Sequence, residues 1–221
     1  MAKKEWFRKK SWSSADQSDF ISHLERSCSE FHKAQYLRIQ AFELQETGKR
    51  NLIRVSLDLL EILLRKYPSK YELASAHCKI GNGLEKLGDF HRALAAYQKA
   101  IAIEKVETCT ISTAVFDYSW LIARLGFKKY YKEVLKLLND REREGFMKFP
   151  SVIYLTNAPK ALIFHAMKST KKAATHAKIA IEAAHMEHSG FSYHPQMGLV
   201  TIKDRNAHAK LKKLARQSGG R

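Results

Sequence analysis

Between Ala74 and Glu107 small and large apolar residues alternate at helical spacing: Ile80 and Gly81, Leu84 and Leu87, then Phe90, Ala93, Tyr97, Ala100 and Ile103. This is the pattern of two antiparallel helices joined at Gly88-Asp89, with Gly81 and Ala93 letting the backbones approach and Leu84, Tyr97 and Ala100 filling the gap. The same period recurs on either side. Upstream, Ala34, Leu37, Ala41 and Leu44 predict a helix over 31–46 that Gly48 ends. A Leu- and Ile-rich run predicts another over 52–66, which Pro68 stops because proline cannot continue the hydrogen-bond ladder. Downstream, a helix over 111–125 reaches Gly126, and Tyr131, Val134, Leu135 and Leu138 mark its partner over 130–138. Residues 151–187 read as a further pair, 152–167 and 173–185, while Asn157 and Pro159 also suit the first turn of a shorter helix. Ser14-Ala15-Asp16-Gln17 fits a capping box for a first helix over 15–28, and Asp204 caps a last helix through Ala215. Residues 189–198 have turn chemistry and aromatics without a helical period, which predicts an ordered loop.

Composition agrees with this reading and adds charge to it. Only four prolines and ten glycines interrupt 221 residues rich in Ala, Leu, Ile and Lys, which favours an all-α fold of long helices. No run of about 18 uncharged apolar residues is available to span a bilayer. The opening Met-Ala-Lys-Lys-Glu-Trp-Phe-Arg lacks the apolar core of a secretory signal, so a cytoplasmic protein is expected. Cys28, Cys78 and Cys109 are odd in number and far apart, which fits reduced thiols rather than a disulfide framework or zinc knuckle. A formal net charge of +17 calls for an anionic partner, and residues 145–221, with 13 Lys or Arg against 3 Asp or Glu, carry more than half of it. From Gly145 to Ile181 there is no acidic residue at all.

The stretch Ala74–Glu107 resembles one tetratricopeptide repeat. Gly81 stands at the small eighth place, Gly88 at the fifteenth, Phe90 at the aromatic seventeenth, Ala93 at the twentieth, Tyr97 at the twenty-fourth and Ala100 at the twenty-seventh. His77 departs where the family favours Trp, and Lys105 where it favours Pro. The turn glycines Gly48, Gly88 and Gly126 are 40 and 38 residues apart, longer than the regular repeat, so the array is irregular. The resemblance implies a right-handed superhelical array of antiparallel helix pairs with terminal capping helices. The expected organisation is a basic, aromatic amino-terminal segment and capping helix over 1–30 and three helix pairs over 31–144, with the best repeat at 74–107. A fourth, lysine-rich pair follows over 145–188, then a loop, basic helix and tail over 189–221. In such arrays the first helix of each pair lines a groove, which assigns Ser75, Cys78, Asn82 and Glu85 to it, with Gln35, Arg38 and Phe42 before them and Phe116, Trp120 and Arg124 after. The opposing reading makes Phe42, Phe116 and Trp120 core residues. The family's clamp for an acidic chaperone tail needs Lys and Asn at the fifth and ninth places; here Cys78 stands with Asn82, so that clamp is incomplete.

Short strings at the ends, Glu5-Trp6-Phe7-Arg8 with Trp12, the run 34–41, and 187–195, are similar to a group of little-characterised bacterial tetratricopeptide proteins, some of them immunity partners of polymorphic toxins. Trp6, Phe7 and Trp12 among Lys3, Lys4, Arg8, Lys9 and Lys10 either cap the open end of an array or stack on bases or lipid headgroups. No nucleophile elbow, phosphate loop or dinucleotide fingerprint is present. His185, His188 and His194 are near in sequence, but their basic surroundings and single local acid, Glu187, argue against a metal site. The sequence thus predicts a non-enzymatic binding protein without a cofactor, whose partner is a protein with an acidic surface, a toxin in the reading that the resemblance implies. Groove aromatics would anchor that partner, and Lys168, Lys171 and Lys172 would steer it. The alternative is a nucleic-acid binder using Lys160 to Lys178 and Lys203 to Arg216 on phosphates.

Overall fold

A computed structural model describes residues 5–107, 111–145, 149–202 and 204–217. The described residues hold ten α-helices and no strand: α1 (Ser14–Glu25), α2 (Glu30–Glu46), α3 (Arg50–Lys66), α4 (Lys70–Leu87), α5 (Phe90–Val106), α6 (Ala114–Leu125), α7 (Tyr131–Arg143), α8 (Pro150–Ala166), α9 (Thr170–Ala184) and α10 (Arg205–Arg216). A 3₁₀ turn, Lys128–Tyr130, precedes α7. Among them no helix is long and apolar enough to cross a membrane. The chain divides into two compact units, Met1–Ala114 and Val115–Arg221.

In the first unit α2 packs on α3, α4 packs on α5, and α4 also lies along both α2 and α3. The predicted turns hold: Gly48 and Gly88 both take positive φ, and Gly88 closes α4 in the left-handed conformation that only glycine adopts without strain. Gly81 does what its spacing predicts, since a Cβ there would fall 2.4 Å from the Tyr97 ring. Tyr97, fully buried, fills that space, and its single hydroxyl proton lies within reach of two acceptors, Asn82 Oδ1 at 2.8 Å and Glu85 Oε2 at 3.0 Å. The buried Gln45 ties three helices together, donating to Ser56 Oγ at 3.0 Å and to the Lys79 carbonyl at 2.9 Å.

The amino-terminal aromatics turn inward. Trp6 lies 5.3 Å from Phe20, 4.7 Å from Tyr36 and 5.1 Å from the His23 ring, and Trp12 lies 5.4 Å from Phe20. Fully buried Gln40 brackets the Lys9 peptide, accepting from its N–H at 2.9 Å and donating to its carbonyl at 2.7 Å. Arg8 pairs with Glu43 and Glu5, and Lys9 with Asp19. These aromatics pack against Phe20 of α1 and Tyr36 of α2 instead of standing free in solvent. The capping box of α1 is one residue earlier than predicted: Ser13, not Ser14, accepts from the Asp16 N–H, and Asp16 accepts from the Ser13 N–H at 3.0 Å. An ionised carboxylate at the third helical position accepts more strongly than the Gln17 amide would, which sets that register. The helix also stops at Glu25, short of Cys28.

In the second unit α8 and α9 pack on a line of alanines, Ala158 and Ala161 against Ala177 and Ala180, and α10 closes the cluster with Leu211 and Leu214. Pro150 starts α8, and Pro159 lies inside it, so the shorter helix beginning at Asn157 does not form. Proline at 150 suits a first turn, whose N–H has no intrahelical acceptor. Lys160 is 1% exposed and donates to Glu142 Oε2 of α7 at 2.6 Å. Lys160 is therefore a buried lysine paired across α7 and α8 with a carboxylate that is itself 47% exposed, and it cannot serve the phosphate-binding role expected of it. Asp204 caps α10 as predicted, accepting from the Ala207 N–H at 2.9 Å.

Candidate partner-binding surface

Helix periodicity places Gln35, Arg38 and Phe42 on one stripe of α2, and Ser75, Asn82 and Glu85 on α4 beside it. Gln35 and Ser75 are half-buried. Arg38 forms an ion pair with Glu72 of α4, which is 5% exposed. The Phe42 ring lies 4.7 Å beneath Lys79 Nζ, a cation–π contact. Asn82 and Glu85 turn the other way, toward Tyr97 of α5. The stripe is thus a mixed strip of half-exposed groups whose charges are already matched within the unit. Cys78, 1% exposed, sits with Sγ 3.5 Å from Thr113 Oγ1.

The residues predicted on α6 serve packing within the second unit. Phe116, 5% exposed, walls a cavity of about 240 Å³ with Val152, Ile153 and Thr156. Trp120 is half-buried with its ring 6.0 Å from Tyr154, and Arg124 Nη1 lies 3.8 Å from Asp204 Oδ2 at the start of α10. Tyr154 meets His208 Nδ1 at 3.3 Å; burial and the nearby Asp204 charge push its phenol up to about 12, so it stays protonated.

Lys168, Lys171 and Lys172 are exposed where α8 gives way to α9. On α10 the exposed side carries Arg205, Lys210, Lys212, Lys213 and Arg216 with Asn206 and Ala209, and no acid. None of these eight side chains has an ion-pair partner among the described residues; Lys172 lies 5.4 Å from the Phe164 ring, and Lys212 is near enough to His208 to disfavour its protonation. His176, between them and the core, adds no charge. Burial chiefly, with Lys160 and Lys172 nearby, lowers its proton affinity. Its Nδ1 is 2.8 Å from Asn157 Oδ1, which can only accept, so Nδ1 carries the proton of a neutral ring. The arrangement is an uncompensated cationic surface on helices fixed by an alanine-packed core, suited to an anionic macromolecule.

The histidines considered for metal do not converge: among the described residues no group of three His, Cys, Asp or Glu is placed to hold a metal ion. Two contacts lay outside the sequence reading, Arg38 with Glu72 and Gln45 with Lys79. Both join residues separated by 34 positions; a search for opposite charges one repeat length apart would have found Arg38 with Glu72, whereas Gln45 bonds the Lys79 backbone carbonyl, which no side-chain pattern signals. No family model, curated protein or solved structure matches the chain.

Proposed function

We propose that the protein is a non-enzymatic binding module, a tetratricopeptide-like array in its first unit joined to a basic second unit, that holds a protein partner through an acidic surface. The observation that carries this reading is the set of exposed cations at Lys171 and Lys172 of α9 and along α10 that have no ion-pair partner among the described residues, whereas Arg8, Lys9, Arg38 and Lys160 each have a carboxylate partner. Charge left uncompensated by folding is available to a partner, and it acts mainly on the rate and selectivity of encounter. The array part is supported by Gly81 seated on Tyr97, by the left-handed turn at Gly88, and by the contacts between α2 and α4 one repeat length apart. The half-exposed strip of Gln35, Arg38, Phe42 and Ser75 supplies the kind of mixed polar and aromatic ground on which a protein segment is read.

A nucleic-acid partner is the second reading, favoured by α10, whose exposed side carries five cations and no acid. Retention of the full chain on nonspecific RNA and duplex DNA across a salt series separates the two. The protein reading expects weak retention that vanishes near physiological salt; tight retention with a steep salt slope overturns it in favour of nucleic acid. That the partner is a toxin rests on the resemblance of the end strings, and co-purification with the product of the neighbouring gene tests it.

A further inference from the structure

Residues 179–202 contain no lysine or arginine, the longest such stretch in a chain with 39 of them, and their only charges are Glu182 and Glu187. In a molecule of net charge +17 they form an island without positive charge; Lys203 and Arg205 begin only beyond it. The same stretch exposes Met186, Phe191, Tyr193, Met197 and Ile202, with Tyr193 93% exposed. Their loop has a set shape. The Ser189 N–H donates to the Pro195 carbonyl at 2.8 Å, Ser189 Oγ to the His194 carbonyl at 3.1 Å, and the Met197 N–H to the same carbonyl at 3.0 Å. Gly198 fastens the loop to the start of α8: its carbonyl accepts from the Ser151 N–H at 2.8 Å, and a Cβ there would fall 2.6 Å from Phe149, which stacks on Phe191 at 5.1 Å. A preset loop loses little freedom when its rings are covered.

An exposed apolar patch of this kind is a contact surface, and its charge selects the occupant. Anionic lipid, nucleic acid or an acidic protein is drawn to the lysines of α9 and α10 and gains nothing from Glu182 and Glu187. A second copy of this chain is favoured instead. Two strongly basic molecules repel wherever their lysines face each other, and this loop is where they can meet without that repulsion. A contact of the loop with its own twin is isologous and closes at a dimer. We propose that residues 186–202 are a self-association surface through which two copies pair about a two-fold axis, with Tyr193 at its centre. This does not depend on the partner-binding reading.

Sedimentation equilibrium of the full chain from about 1 μM to about 1 mM, in salt concentrated enough to screen the remaining repulsion, tests it. A reversible monomer–dimer equilibrium is expected. Tyr193→Lys weakens it by at least about tenfold, while Tyr193→Phe leaves it within about twofold. An unchanged melting temperature of both variants shows that the fold is intact. A monomer at every concentration, or a dimer as strong in Tyr193→Lys as in the parent, overturns the proposal.

Discussion

Gly81 and Tyr97 set the closest approach between α4 and α5, and the fully buried ring has no room to retreat from an added methyl. Gly81→Ala is expected to destabilise the first unit by about 1–3 kcal/mol, seen as a lower denaturant midpoint at unchanged slope. His77 gives a pH-dependent counterpart. Its burial, with Lys99 nearby, lowers its proton affinity from the usual 6.5 to about 4. The unfolded chain takes up a proton as pH falls through 6.5, while the folded chain does so only near 4. The contribution is therefore complete above 6.5 and lost progressively down to about 4, by on the order of 3 kcal/mol. His77→Leu should flatten that part of the stability profile; a variant whose profile keeps the parent's slope between those pH values would show that another group is responsible. Asp16, held to about 2 by the Ser13 N–H and by the Ser11 and Ser13 hydroxyls, weakens the α1 cap only in stronger acid, as pH falls below the usual carboxylate range toward 2.

At the level of elements, hydrophobic period and glycine turns made most helices legible, because both signals are local. Gly48 and Gly88 lie in the turns expected of them, and α4 and α5 match the 74–107 pattern closely. What could not be read was whatever depends on a partner far along the chain. Lys160 looks like any other member of a lysine-rich run until α7 brings Glu142 to it. Pro159 looks like a helix start until Pro150 is seen to occupy that place. The register counted back from Gly126 does not show that half-buried Trp120 meets Tyr154 of α8 or that Arg124 lies 3.8 Å from Asp204 at the start of α10. The ion pair makes a definite prediction. Glu142→Gln leaves the buried Lys160 ammonium without its carboxylate and, with solvent screening at the half-exposed Glu142, should cost about 1–3 kcal/mol, whereas Glu142→Gln combined with Lys160→Met should recover most of it. Equal losses in the single and double variants would mean that the pair does not hold α7 to α8.

For the whole molecule, the account rests on where charge is matched and where it is not. Arg8, Lys9, Arg38 and Lys160 are paired with Glu43, Asp19, Glu72 and Glu142. Lys171 and Lys172 of α9 and the five cations of α10 have no ion-pair partner among the described residues, and the 179–202 stretch carries no lysine or arginine. Such a distribution gives one protein two surfaces of different chemistry, to which the proposals above assign an acidic partner and a second copy respectively. The most direct test of the central claim is the association rate of the co-purifying partner with the parent chain and with a Lys171→Glu, Lys172→Glu variant. The account predicts a rate at least about tenfold lower in the variant at low salt, converging with the parent as salt rises, with little change in dissociation. Association rates that are equal at low salt would contradict it.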